Sequence, residues 1–301
     1  MRSTTHTHLK TTILCALLAS ASILCASCSS KQDDDITLPP DISINGTVDP
    51  YETDASSEKE TSSDTSKLPT EYEYRSDISK YLDYITLKNA DAKKYLKLVN
   101  KTHTVGSDYA PEKDEKMDTS ITLYGKDVYL EEYTAKAAYA MIAEMRAYGF
   151  SNVYITSGLR SYKNQSSLYY TYFNNEKLKH PTWTDEQIKA EVLTYSAYPG
   201  TSEHQSGLCL DLFISPGMTE LVNYGSETSN PNDIGFAESD EYKWLCENAH
   251  KFGFILRFGK DKVDLTGYSY ESWHFRFVGR ETAAKIYASG QCLEEYLGEV
   301  D

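Results

Sequence analysis

Asp211 sits inside a run with no other reason to hold a charge, Leu208-Cys209-Leu210-Asp211-Leu212-Phe213. In an extended strand Leu208, Leu210 and Leu212 share one face, while Cys209, Asp211 and Phe213 share the other. A carboxylate on such a strand is costly unless it is paired or coordinates a metal. Any fold open to this chain must therefore bring Asp211 a partner. Two candidates flank it. His204 lies seven residues before it, in Ser202-Glu203-His204-Gln205-Ser206-Gly207, and His274 lies 63 residues after it, in Tyr270-Glu271-Ser272-Trp273-His274.

The spacing from His204 to Asp211 is not helical, because a zinc-binding helix places its ligands at i and i+4. Gly207 and the apolar run after it predict a loop carrying His204 and a strand carrying Asp211. His274 follows the bulky Trp273 and is predicted to begin another strand. Two imidazoles and one carboxylate make up the three protein ligands of a catalytic zinc, with the fourth position open to water. Glu271, three residues before His274, can face that water without binding the metal. Zinc lowers the pKa of such a water to about 7, and a neighbouring carboxylate can then take its proton. Spacing alone leaves open whether these groups are ligands or buried structural residues, since the chain has seven histidines.

Charge narrows the function classes. The net charge is −15, and nucleic-acid binding needs a basic footprint, so that class is disfavoured. Residues 29–75 hold 12 acids against 4 bases, and are rich in Ser, Thr and Pro with little apolar content. Such a segment cannot bury enough surface to fold and reads as a disordered tether. At this length it would average roughly 35–40 Å end to end.

Residues 1–28 read as an export signal. Arg2 and Lys10 form a weakly basic start, Ile13-Leu14-Cys15-Ala16-Leu17-Leu18-Ala19 opens the apolar region, and Ala26 and Ser27 precede Cys28. The pattern is similar to a bacterial lipoprotein signal, in which Cys28 would become the lipidated N-terminus, although Cys25 stands where an aliphatic residue is usual. That would place the protein outside the cytoplasm, anchored to the membrane by lipid. A simple secretory signal is the alternative. Past the signal only Cys209, Cys246 and Cys292 remain, and an odd count is no disulfide framework. Cys209 reads as a small core residue.

Residues 76–301 are expected to form one globular domain. The patterns predict a strand over 96–100, a helix over 134–148 stopped by Gly149, and a strand over 153–156. Thr184-Asp185-Glu186-Gln187 fits a capping box opening a helix through Tyr195. A strand over 208–213, a helix over 242–252 ending at Gly253, a strand from 274 and a helix over 281–288 complete the set. Strands and helices mix without βαβ alternation, so the fold class is α+β.

These residues now match a family. Ser202-Glu203-His204-Gln205-Ser206-Gly207 with Asp211, and Glu271-Ser272-Trp273-His274, resemble the VanY-type D-alanyl-D-alanine carboxypeptidases, zinc peptidases that share a fold with lysostaphin and the hedgehog signalling domain. Leu98-Val99-Asn100-Lys101, Asp108-Tyr109-Ala110-Pro111, Ser157-Gly158-Leu159-Arg160-Ser161-Tyr162 with Gln165, Gly253-Phe254-Ile255-Leu256-Arg257 and Thr266-Gly267-Tyr268 look like further family segments. The likeness covers about residues 90–290. It implies a small, mainly antiparallel sheet with flanking helices and one Zn2+ in a cleft on the sheet. His204, Asp211 and His274 would hold the metal, and Glu271 would be general base and then proton donor. Arg160 would polarise the scissile carbonyl or hold substrate, and Gln165 and Ser202 would bind the substrate's terminal carboxylate. Where many relatives read LRYP, this chain has Leu256-Arg257-Phe258-Gly259, which removes a hydroxyl and a rigid proline near the cleft.

The implied substrate is the C-terminal D-Ala of peptidoglycan stem peptides or their precursors. An L,D-carboxypeptidase acting on tetrapeptide stems would carry the same motifs. A D-Ala-D-Ala dipeptidase ranks third, because no acid dedicated to a free amine is evident. From another class, a zinc-bearing wall-binding lipoprotein without turnover is disfavoured by the presence of Glu271.

Overall fold

The computed structural model describes residues 71–300, Pro231 aside. The signal and most of the tether therefore lie outside the described residues. Six strands are seen: β1 Asp114–Lys116, β2 Tyr129–Glu131, β3 Val153–Ser157, β4 Cys209–Ile214, β5 Phe254–Phe258 and β6 Glu271–Phe277. The helices are α1 Leu82–Ile85, α2 Glu132–Ala147, α3 Tyr162–Lys179, α4 Asp185–Tyr195, α5 Asp240–Asn248, α6 Val263–Thr266, α7 Arg280–Ser289 and α8 Leu293–Leu297. The α+β class is as expected.

Four strands form one sheet in the order β3-β4-β6-β5, and every neighbouring pair is antiparallel. β1 and β2 form a separate antiparallel pair. The register of the larger sheet assembles the site. Asp211 on β4 stands opposite His274 on β6 and also opposite Ser157 on β3, while Glu271 on β6 stands opposite Phe258 on β5. The register shifts once between Ile155 and Ser157 and once between Leu256 and Phe258. Such irregularities re-aim side chains beside functional sites.

The alternation read from the sequence survives on β4. Leu208, Leu210 and Leu212 join the main core, although the opposite face is buried too. α2 contributes to the same core with Ala135, Ala138, Met141, Ile142 and Met145. Its alanines lose little side-chain entropy in a helix and leave room for close packing. The capping box opening α4 forms as predicted, with Thr184 and Gln187 exchanging side-chain and backbone bonds.

Three expectations fail. No strand forms over 96–100. A short 3-10 turn ends at Leu96, and the carbonyls of Tyr95 and Lys97 accept from the Arg276 guanidinium instead of from a strand. β6 begins at Glu271, three residues early, so the expected base and the expected ligand share one strand. The body also begins before residue 76. Glu144 of α2 accepts from the backbone of Arg75 and Ser76 and from the Ser76 hydroxyl, at 2.6–2.7 Å. Tyr74 packs on Phe252 at 5.4 Å, and Arg75 lies 3.7 Å over the Tyr148 ring.

Candidate metal centre and catalytic cleft

His204 sits in a 3-10 turn, Glu203–Ser206, closed by Gly207 at φ 69°, where a residue with a Cβ would be strained. The turn is pinned from outside. The Gln205 amide donates to the carbonyls of Gly106 and Tyr109, and Gly207 accepts from the Glu131 backbone. Gly158 lies so close to β2 that a Cβ there would meet the Tyr129 carbonyl at 2.4 Å. That approach brings the Gly158 carbonyl within 2.7 Å of His204 Nδ1.

A carbonyl only accepts, so His204 Nδ1 carries a proton, which leaves Nε2 as the nitrogen that can bind a metal. His204 Nε2 lies 3.1 Å from an Asp211 oxygen. On β6, His274 Nε2 lies 3.2 Å from Glu203. Its Nδ1 lies 3.0 Å from the other Asp211 oxygen. Carboxylates accept at both His274 nitrogens and at His204 Nε2, so both rings are held protonated here, and the nitrogens facing Asp211 are the ones that would give up protons to a metal. Two imidazole nitrogens thus flank one buried carboxylate, and once those nitrogens are deprotonated the three groups would fit a zinc ion. Each histidine is oriented through its remaining nitrogen, by a carbonyl in one case and a carboxylate in the other, as metal-bound histidines commonly are.

Cys209 adds a sulfur. It shares the strand face with Asp211, is fully buried, and lies with His204 and His274 in a group whose donor atoms are within 4.8 Å of one another. It is buried, as a small core residue would be, and its sulfur also stands beside both imidazoles. We favour Asp211 as the third donor, because its two oxygens lie 3.1 Å from His204 Nε2 and 3.0 Å from His274 Nδ1.

Glu203 is the residue that sequence reasoning missed. It is 3% exposed, and its second oxygen accepts from Arg257 at 2.9 Å and from Arg276. Arg257 in turn makes a bidentate pair with Glu294 at 2.6 and 2.8 Å. Both arginines are 0% exposed. Burial alone would raise the Glu203 carboxyl, but Arg276 and Arg257 outweigh it and hold it well below the usual range. Asp211 behaves alike: burial opposes its charge, and the His204 and His274 imidazoles overcome that. One signal was available, since Arg257 and Arg276 stand inside otherwise apolar runs and each needs a buried acid.

Glu271 stands apart from this network. Its side chain is 23% exposed, and its carboxylate lies 3.6 Å from His274 Nδ1. Burial pushes its pKa up to about 7, against the pull of His274. A carboxylate beside the expected metal position is placed to accept and return a proton.

The cleft above the site holds about 600 Å³. Arg160, Ser202, Glu271, Trp273, Tyr195 and Asn223 are among the residues that line it. The structure brings His204, Asp211, His274, Glu271, Arg160 and Ser202 to this one place. Arg160 donates to Ser157 at 3.0 Å and to Gln165 at 2.8 Å. Gln165, expected as a substrate contact, is 1% exposed, and its amide nitrogen donates to the Ala197 carbonyl. It holds Arg160 through its amide oxygen and is not among the residues that line the cleft. Phe258, at the departure from LRYP, packs its ring 4.9 Å from His274 and 4.8 Å from Tyr268.

The chain is similar to known proteins. The VanY profile, described as D-alanyl-D-alanine carboxypeptidase, matches residues 127–280. A D-alanyl-D-alanine carboxypeptidase of Enterococcus faecalis (strain ATCC 700802 / V583) is 35% identical over 208 residues, covering 66% of this chain and 64% of that enzyme. A solved structure of a mutant of VanY, the vancomycin resistance D,D-pentapeptidase from a VanB-type cassette, in complex with Zn(II), is 32% identical. It superposes with a TM-score of 0.52 and covers 68% of this chain and 99% of that one. The structure of the LdcB LD-carboxypeptidase is 30% identical with a TM-score of 0.52, covering 68% and 86%.

Proposed function

The chain belongs to the VanY family of D-alanyl-D-alanine carboxypeptidases, and from that premise we propose that it removes the C-terminal D-Ala from peptidoglycan stem peptides. The observation that carries the reading is the Asp211 carboxylate held between His204 Nε2 and His274 Nδ1, with Glu271 on the cleft side of the same strand. His204, Asp211 and His274 would hold one zinc ion, which when bound supplies Lewis acidity toward water and carbonyl oxygen. Glu271 takes a proton from the attacking water and delivers it to the departing amine of D-Ala. Arg160, fixed by Ser157 and Gln165, turns its positive charge to the carbonyl oxygen as negative charge develops there. Ser202 offers a hydroxyl to the terminal carboxylate. Gly158 and Glu203 keep the two imidazoles in the required tautomers.

The likeness to LdcB supports a second reading, in which the bond cut is the L,D bond of tetrapeptide stems. Incubating the purified protein separately with a muramyl pentapeptide and a muramyl tetrapeptide, and following D-Ala release by mass spectrometry, separates the two. Zinc-dependent release from one stem is expected, falling about 10²–10⁴-fold in Glu271→Gln. Protein that binds zinc but releases D-Ala from neither would sink the carboxypeptidase reading and favour a wall-binding role.

The N-terminal sequence supports a setting for this activity. Cys28 would carry lipid that anchors the protein outside the cytoplasmic membrane, and the acidic segment after it would let the domain reach the wall. Metabolic labelling with a clickable fatty acid, lost in Cys28→Ala, is the expected result; unlabelled protein in the medium would mean a simple secretory signal.

A further inference from the structure

The loop between β4 and α5 does more than wall the cleft. β4 leaves its partner after the Asp211–His274 pair, and the pairing recorded at Glu271 is with Phe258 of β5. In a strand, successive peptide groups point to opposite sides. The Tyr270 carbonyl and the Ser272 N–H, one residue before and one after Glu271, point to the same side. The Asn223 side chain lies there. Its amide nitrogen donates to the Tyr270 carbonyl at 2.9 Å, and its amide oxygen accepts from the Ser272 N–H at 3.0 Å. One side-chain amide, with the same donor and acceptor as a peptide group, stands in for a strand residue on both flanks of Glu271.

Asn223 is itself held firmly. Its carbonyl accepts from Ala237, and its own N–H donates to Glu227 at 3.0 Å. The loop closes on Gly235, where an added Cβ would lie 2.1 Å from the Asn223 carbonyl oxygen. The loop lies beyond every motif that the sequence singled out.

We propose that Asn223 is a positioning residue that locks the backbone on either side of Glu271 and so fixes the base against the reacting water and amine. The inference rests on Glu271 being the base. A displacement of about 1 Å at a reacting group can cost about 10²-fold in rate. The lock acts on backbone rather than on substrate, so its loss lowers kcat and leaves KM nearly unchanged.

The test compares Asn223→Ala and the near-isosteric Asn223→Leu with the unaltered protein, alone and in a Glu271→Asp background. Expected are a kcat lower by about 10- to 100-fold, KM within about twofold, unchanged zinc content, and faster amide hydrogen exchange at Ser272. In the Glu271→Asp background, where the shortened base is already displaced, the further loss should be much smaller. Unchanged kcat in both variants overturns the inference. So does an equal loss in the Glu271→Asp background, which would make the effect independent of the base, or a loss explained by missing zinc or by unfolding. If the unaltered zinc-loaded protein releases no D-Ala, the carboxypeptidase reading itself fails and this inference falls with it.

Discussion

At the scale of the residue, the competition between Asp211 and Cys209 is the sharpest question the site poses. Both project from the same face of β4, and both lie near His204 and His274. The Asp211 oxygens lie 3.0 and 3.1 Å from the two nitrogens that would bind the metal, so the two residues should separate cleanly on substitution. Asp211→Ala should abolish stoichiometric zinc binding, while Cys209→Ala should retain the metal and most of the activity. Metal analysis of the dialysed variants reads this directly. Retention in Asp211→Ala with loss in Cys209→Ala would reverse the assignment. The donors were legible in the sequence because a charge in an apolar strand must be explained. Glu203 was not, although it neighbours His204. Its partners stand 54, 71 and 73 residues away, and local pattern does not reach that far.

At the scale of the element, periodicity succeeded where one face meets the main core. α2 shows it, with its buried alanines, methionines and isoleucine, and so does β4. It failed where an element packs on something else. α3 buries only Gln165, Tyr169 and Glu176, and its aromatics pack in a small cluster with Ile188 and Val192 of α4, so it carries little helical stripe to read. The strand expected over 96–100 shows the reverse error, since an apolar run can equally belong to a turn whose carbonyls serve a buried arginine. α2 also ties down the start of the body through Glu144. Glu144→Ala removes three hydrogen bonds to residues 75 and 76 and should lower stability by about 1.5–3 kcal/mol. It should also open that segment to limited proteolysis, as measured by urea unfolding and by mapping of the first cleavage. Unchanged stability with no new cleavage would show that the strap is held elsewhere.

At the scale of the whole molecule, pH should act through His250. Its ring stacks on Tyr287 of α7 at 3.9 Å, and among the described residues its Nδ1 has no hydrogen-bond partner. Burial, with Lys251 nearby, pushes its pKa down from 6.5 to about 4. The unfolded chain therefore takes up the proton first as pH falls. Stability on this account is intact above pH 6.5, declines as pH drops below it, and levels off near pH 4. With partial exposure allowed for, the loss should be about 1–2 kcal/mol. Urea unfolding near pH 7 and near pH 4.5 should show a smaller loss in His250→Phe than in the unaltered protein; equal losses would clear His250 of the effect.

The sequence by itself determined the chemistry on offer: two imidazoles, one stranded carboxylate, one spare acid, and motifs short enough to be read locally. It also determined the α+β class, because hydrophobic period and capping are properties of neighbouring residues. Folding in three dimensions adds which nitrogen of each histidine faces Asp211, that Glu203 is held between two buried arginines, that Gln165 holds Arg160, and that Asn223 bonds the backbone on both flanks of Glu271. Each of these is a contact between segments far apart in the chain. Such contacts exist only after the sheet has set its register, because hydrogen-bond geometry depends on which backbone groups the register leaves facing one another.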